Sequence, residues 1–289
     1  MICRLCPRRC GAERTAETGG GFCAMPAGIR VARAALHHWE EPPISGTNGS
    51  GAVFFSGCTL RCCYCQNHDI SAGGFGRDVT PQRLRAIFEE LIAQGAHNID
   101  LITATHFLPW LLPALTPKLP VPLVYNCGGY ESVETLRQLE GLVDIWLPDL
   151  KYADGPLAAQ LSAAPDYFPA AAAAIREMFR QTGPYVMEDG LLRRGVIIRH
   201  LVLPGSPDNT RRVIDWVAET FRPGDVLFSL MSQYTPQPDA EGVLRRHVTR
   251  SEYRAAVAYM ENCGITDGFT QERTAARAEY TPPFDLTGV

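Results

Sequence analysis

The chain has 289 residues, 46% of them hydrophobic, and a formal net charge of −4. Such a length and apolar content suit one large α/β domain or two smaller ones. The charge leaves no bulk electrostatic case for nucleic acid, and no apolar run reaches membrane-spanning length.

In chain order, residues 1 to about 50 are rich in Gly, Arg and Cys and show little periodicity. The start, "MICRLCPRRC", has no apolar stretch of the signal-peptide kind, so a cytoplasmic protein is expected. Strand-like apolar runs then follow at 52–57, 99–103, 122–126, 143–150, 196–204 and 225–231. Helical patterns fall between them at 81–95, 132–141, 208–221 and 251–264. Asp208 and Ser132 or Glu131 are the expected N-caps, and Gly95 and Gly264 sit where helices should end. Residues 152–190 form a long Ala- and Pro-rich connection with one helix in "PAAAAAIREMFRQTG", a lid or side wall. The tail "AEYTPPFDLTGV" reads as a terminal strap or disorder. Alternating strands and helices predict a parallel sheet covered by helices, as a partial or full barrel or an open doubly wound sheet. No G-x-G-x-x-G follows the first strand, which argues against a dinucleotide fold.

Ten cysteines in a reducing compartment need a reason other than disulfides. Cys58, Cys62 and Cys65 make a C-x3-C-x2-C loop directly after the first predicted strand. Three thiolates from one loop can hold three corners of a 4Fe–4S cube, leaving one iron open, whereas electron-transfer clusters take four cysteines. A closed zinc site also needs four ligands, and Cys63 or His68 is placed to complete it. Cys63 is otherwise expected to be a small buried packing residue. Cys3, Cys6, Cys10 and Cys23 form a second group, enough to close a zinc site or a second cluster and so to stabilise a segment with little core of its own. Cys127 and Cys263 stand alone.

The cysteine loop, with an aromatic residue (Tyr64) before its last Cys, resembles the radical S-adenosylmethionine superfamily. The segments "GCTLRCCYCQNHD", "YNCGGYE", "LPDLKY" and "IRHLVLPG" are similar to the branch that contains the pyruvate formate-lyase activating enzyme and uncharacterised activase-like proteins. The resemblance implies a partial (β/α)6 barrel over residues 51–270, a Cys-rich metal-binding extension at 1–50 and a tail at 271–289. It implies Cys58, Cys62 and Cys65 as cluster ligands, and Tyr64, Asn67, Asn126, Asp149 and Lys151 around S-adenosylmethionine. An Asp and a Lys at a strand end also suit the ammonium, carboxylate and hydroxyls of that cofactor. Relatives carry Gly-Gly-Glu after the second strand. Here "LITATHF" stands instead, so Thr103, Thr105 and His106 are the polar groups expected in its place. Gln233 falls where relatives have a histidine near the cofactor, and Arg199 and His200 end the fifth strand as the catalytic candidates. The stretch before the cysteine loop lacks the Asp-Gly-Pro-Gly of glycyl-radical activases, which weakens a glycyl-radical enzyme as the substrate.

The function implied is reductive cleavage of S-adenosylmethionine to a 5′-deoxyadenosyl radical that takes hydrogen from a protein or a small molecule. An external one-electron reductant of flavodoxin or ferredoxin type would be needed, and neither nucleic acid nor membrane is an expected partner. The competing class is a non-enzymatic iron–sulfur or zinc protein for electron transfer or partner binding, which would not need Asp149 and Lys151. A zinc-dependent nucleic-acid module is disfavoured because few basic residues and no aromatic platform accompany the amino-terminal cysteines.

Overall fold

The computed structural model describes residues 2–271 and 281–289. Ten strands lie in these residues: β1 (Ile29–His37), β2 (Ser50–Phe55), β3 (Arg77–Val79), β4 (Ile99–Ile102), β5 (Leu123–Cys127), β6 (Ile145–Pro148), β7 (Val186–Glu188), β8 (Leu191–Leu201), β9 (Leu227–Met231) and β10 (Gly268–Thr270). Their order is β10-β9-β8-β6-β5-β4-β2-β1-β3, with β7 hairpinned on β8. From β2 through β4, β5, β6 and β8 to β9 every pairing is parallel, so the six predicted strands run side by side in chain order. The path ends at β10 on one side and at β3 on the other, and among the described residues no ladder joins them. This is the large parallel sheet of a partial barrel.

Residues of β2, β4, β5, β6 and β9 are buried throughout. Sheet strands covered on both faces read as continuous apolar runs, which is why these five were visible in sequence. β1 escaped notice. Its sequence, IRVARAALH, mixes arginines with apolar residues because it pairs antiparallel to β2 near the sheet edge, with a bulge between Val31 and Arg33. It lies within residues 1–50.

The crossover helices begin and end for local reasons. Pro81–Ala93 starts with Pro at N1, and the Thr80 side chain accepts from Arg83 N–H. Arg250–Asn262 starts with a capping box between Thr249 and Glu252. Gly95 (φ +94°) and Gly264 (φ +79°) follow the last turns of these two helices, as expected. The third helix runs Pro207–Thr220 and is entered from Ser206, so Asp208 lies in its first turn and is not its N-cap. Pro207 sets that start one residue earlier. The 132–141 pattern gives a single turn, Val133–Leu136, continued as a 3₁₀ turn. The long connection holds two helices, Gly155–Ser162 and Tyr167–Thr182. Asp154 caps the first by accepting from Leu157 N–H.

Of the tail, residues 281–289 strap across β1. Ala34 N–H donates to Thr287 O, Leu286 N–H donates to Ala32 O, and Arg33 pairs with Asp285. Residues 272–280, part of the tail expected at 271–289, lie outside the described residues. Among the described residues no helix is long and apolar enough to cross a membrane.

Candidate active site

The cysteine loop leaves β2 through Gly57, whose φ is +78° and whose added Cβ would lie 2.3 Å from Met25 Cγ. Only glycine fits that turn. The loop then folds back on itself, with Cys65 N–H donating to Cys62 O. Each thiol has its own donor. Ser162 Oγ donates to Cys62 Sγ at 2.9 Å, Ser71 Oγ to Cys65 Sγ at 3.3 Å, and Leu60 N–H to Cys58 Sγ at 3.3 Å. Burial pushes the Cys58 thiol up to about 12 and raises Cys65 as well, so neither ionises without a cationic partner or a metal. Cys63 is exposed, contrary to the buried packing role expected of it. Its N–H donates to Leu161 O.

Cys62 and Cys65 open onto a cavity of about 580 Å³. Tyr64, Asn67, Asn126, Asp149, Lys151, Arg199 and Gln233 line the same cavity. The structure thus brings seven of the predicted cofactor-binding and catalytic residues to one place. They come from the ends of β5, β6, β8 and β9 and from the cysteine loop. Asp149 extends the β6–β8 pairing, and Leu150 N–H donates to Arg199 O at 2.7 Å.

Asp149 is the electrostatic centre of the wall. Its carboxylate takes Arg199 Nε at 2.9 Å and the Lys151 ammonium. Burial alone would raise it, but the two cations hold it below the ordinary carboxylate range. Tyr167 clamps the backbone on either side. Its hydroxyl accepts from Lys151 N–H and faces the carbonyls of Asp149 and Gly128. Gly129 explains the paired glycines of "YNCGGYE": its φ is +78°, and a Cβ there would meet Asp149 O at 2.0 Å. Arg199 reaches on to Asn126 Oδ1 at 2.6 Å and Glu40 Oε2 at 3.1 Å. Burial opposes its charge, yet Asp149, Glu41 and Glu40 keep it firmly protonated.

Tyr64 is buried at the cavity edge. Its hydroxyl meets Tyr152 at 2.7 Å, Tyr152 meets Ser162 at 2.7 Å, and Ser162 meets Cys62, a chain of hydroxyls that ends on a thiol. Gln233 is held through Gln271 and by Gln66, which spans from the cysteine loop to Gln233 O.

Four predicted residues do not reach the cavity. Thr103 has φ +64° and turns the chain out of β4. Thr105 is buried and accepts from Tyr125 OH at 2.8 Å. His106 is buried against Ser56 O, and burial lowers its imidazole to about 4. His200 is also neutral, lowered to about 4 by burial and held between Leu150 O and Thr210 Oγ1. Alternation along β8 sends Arg199 to the cavity and His200 to the opposite face.

Sequence reasoning passed over Glu40, Glu41 and Ser229 on the cavity wall, and Asp100 and Ser162 behind it. The only signal for the glutamates was an adjacent acidic pair between aromatic and proline residues, and such pairs are usually solvated.

Among the described residues no three His, Cys, Asp or Glu side chains close on one point as a single metal ion requires. A cube asks for something else, separate thiolates for separate irons. The donor set of the barrel loop fits it: three thiols in one short turn, two facing a cavity, each with its own hydrogen-bond donor.

Comparison with known proteins agrees in kind. A family model described as a 4Fe-4S single cluster domain matches residues 45–104, which hold β2, the cysteine loop and β4. The uncharacterized protein MJ0674 of Methanocaldococcus jannaschii is 27% identical over 275 residues, 91% of this chain and 75% of that protein. The crystal structure of Streptococcus suis SuiB aligns with TM-score 0.52 and 12% identity over 77% of this chain and 48% of SuiB. SuiB bound to precursor peptide SuiA aligns with TM-score 0.50 and 13% identity over 74% of this chain and 46% of SuiB. The chain therefore spans about half the length of this solved relative. The chain is thus similar to a 4Fe-4S cluster domain over residues 45–104 and to SuiB in fold.

Proposed function

We propose that the chain is a radical S-adenosylmethionine enzyme whose cavity takes both a 4Fe–4S cluster and the cofactor. The observation that carries this is the sharing of one cavity by Cys62 and Cys65 with Asp149, Lys151 and Asn126. Cys58, Cys62 and Cys65 hold the cluster, and its hydrogen-bonded sulfurs tune it. When bound, cluster and cofactor supply one-electron cleavage of a sulfonium and hydrogen abstraction from a substrate carbon.

The chain's own residues do the rest. Asp149 and Lys151 are a paired carboxylate and ammonium, so each can turn to a complementary charge on an amino-acid nucleoside without leaving a buried charge alone. Arg199 fixes Asp149 in place, and Tyr167 fixes the backbone that carries it. Tyr64 closes the cavity edge and keeps water off. A one-electron reductant of flavodoxin or ferredoxin type supplies the electron. Substrate access to a polypeptide is supported by SuiB, which shares the fold and is solved with a precursor peptide bound. A zinc ion or second cluster on Cys3, Cys6, Cys10 and Cys23 is part of the same proposal, with residues 1–50 as its carrier.

The test is anaerobic reconstitution with iron and sulfide, then dithionite and S-adenosylmethionine, with chromatography for 5′-deoxyadenosine. Formation of 5′-deoxyadenosine is the expected result. A reconstituted protein that holds its cluster but neither binds nor cleaves the cofactor would return the chain to the electron-transfer class.

A further inference from the structure

One end of the cavity carries more acid than base. Glu40 and Glu41 stand between β1 and the turn of helix Pro42–Ser45. His37, at the end of β1, pairs with Ser50 at the start of β2, so the two glutamates lie at the ends of the parallel strands opposite the cysteine loop. Glu40 reaches Arg199 at 3.1 Å. Glu41 Oε2 is 3.9 Å from the same guanidinium nitrogen and has no hydrogen-bond partner. Glu41 is 8% exposed and lines the cavity. Asp100, fully buried on β4, also leaves one carboxylate oxygen unpartnered.

The base available is already committed. Lys151 is held by Asp149, and Arg199 is shared among Asp149, Glu40 and Asn126. A buried carboxylate without a full partner is costly, and burial accordingly raises the Glu40, Glu41 and Asp100 carboxyls. The apolar walls of the cavity, from Phe54, Ile102, Leu201 and Met231, lie toward the C-terminal ends of β2, β4, β8 and β9, so a chain with its charge at the glutamates runs its methylenes toward that end. His37 faces the same space as a neutral imidazole, lowered to about 4 by burial, so it does not repel a cation.

We propose that this end of the cavity binds an aliphatic cation, the ammonium or guanidinium end of a substrate chain, with its charge on Glu41 and Glu40 and its methylenes along the apolar walls. The proposal rests on reading the cavity as an active site and deepens it by naming the substrate class. A free alkylamine and a lysine-like side chain of a polypeptide share this chemistry.

The experiment uses reconstituted full-length protein and calorimetric titration. The probes are n-butylammonium, its neutral counterpart n-butanol, a capped Ala-Lys-Ala peptide and its norleucine counterpart. At least one cation should bind at least roughly tenfold more tightly than its neutral counterpart. Glu41→Gln and Glu40→Gln should each weaken that cation by roughly tenfold to a hundredfold, as expected for a lost charge-assisted hydrogen bond. Preference for the peptide assigns the cation to a polypeptide, and preference for the free amine assigns it to a small molecule. Either supports the proposal.

Equal binding of cation and neutral counterpart, or no binding of either cation, overturns it, and neither result needs a variant that folds. Full cation binding in Glu41→Gln also overturns it. So does loss of cation binding in saturating S-adenosylmethionine, which would give these acids to the cofactor's own charges. Cofactor binding is titrated in parallel, so failure of the radical reading is seen separately from failure of the cation site.

Discussion

The two cysteine groups have similar spacing and opposite surroundings. The barrel loop sits at the C-terminal end of β2 and turns Cys62 and Cys65 into a cavity lined by charge. The amino-terminal group turns Cys3, Cys6 and Cys23 into the protein, with only Cys10 exposed. Its backbone wraps tightly around them: Cys3 N–H donates to Ala12 O, Gly11 N–H to Cys3 O, and Arg9 N–H to Cys6 O. Burial pushes Cys6 up to about 12, as it does Cys58, so thiol acidity does not separate the groups. Access does. An open position beside a site allows chemistry, and a closed shell of ligands gives stability.

One side chain ties the groups together. Arg8 stacks 3.8 Å from the Phe22 ring and donates to Thr59 O, Ser162 O and Ala163 O. Thr59 follows Cys58, and Ser162 is the residue whose hydroxyl meets Cys62. A cation on the last carbonyls of helix Gly155–Ser162 also suits its dipole.

The contrast should break most sharply in the barrel loop. Cys58→Ala, Cys62→Ala or Cys65→Ala is expected to abolish 5′-deoxyadenosine formation, whereas exposed Cys63→Ala keeps most of it. Loss of the cluster in Cys63→Ala and its retention in Cys65→Ala would reverse the ligand assignment.

Next in size is the cavity wall. Asp149→Ala or Lys151→Ala should weaken S-adenosylmethionine binding by roughly tenfold to a hundredfold with iron content nearly unchanged. Equilibrium dialysis beside iron analysis reads both quantities, and unchanged affinity in both variants would make the pair a structural ion pair only.

The amino-terminal group is sharpened by metal content. Zinc alongside about four irons means a closed structural ion, and about eight irons without zinc means a second cluster. The double variant Cys6→Ala and Cys10→Ala should lower total metal and speed hydrogen exchange in residues 1 to about 45, while the barrel keeps its cluster. About four irons, no zinc and no change in the variant would show these cysteines to be unligated. Arg8→Ala should leave iron on the barrel loop and alter the cluster's paramagnetic resonance spectrum, because Ser162 loses its anchor. An unchanged spectrum would separate the two groups.

A last effect concerns a histidine outside the cavity. His200 is lowered from its usual 6.5 to about 4 by burial, so the unfolded chain binds a proton that the folded chain refuses. Its contribution is present above about pH 6.5 and is lost as pH falls toward 4, on the order of 3 kcal/mol at the acid end. His200→Gln should therefore lose less stability than the parent between these pH values in urea unfolding. Parallel curves would show that His200 stays charged in the fold.

Much of this was legible in the chain. Five of the six parallel strands are buried along their whole length, so their sequences are largely apolar and stand out from the helical spacing around them. The cysteine loop and Asp149-x-Lys151 are local patterns whose residues reach one cavity because each follows a strand of one parallel sheet. Contacts between distant segments were not legible. β1 is amphipathic in a broken way because it is a bulged, antiparallel strand near the edge. Glu40 and Glu41 become part of the cavity only because the segment after β1 crosses under the barrel to Arg199, 159 residues away from Glu40 in sequence. Strand pitch decided which of Arg199 and His200 faces the cavity, and the turn at Thr103 carried Thr105 and His106 away from it. Spacing along the chain reports which residues a loop or strand can present together. Which neighbours they meet depends on packing between segments far apart in sequence, and that is set by the tertiary fold alone.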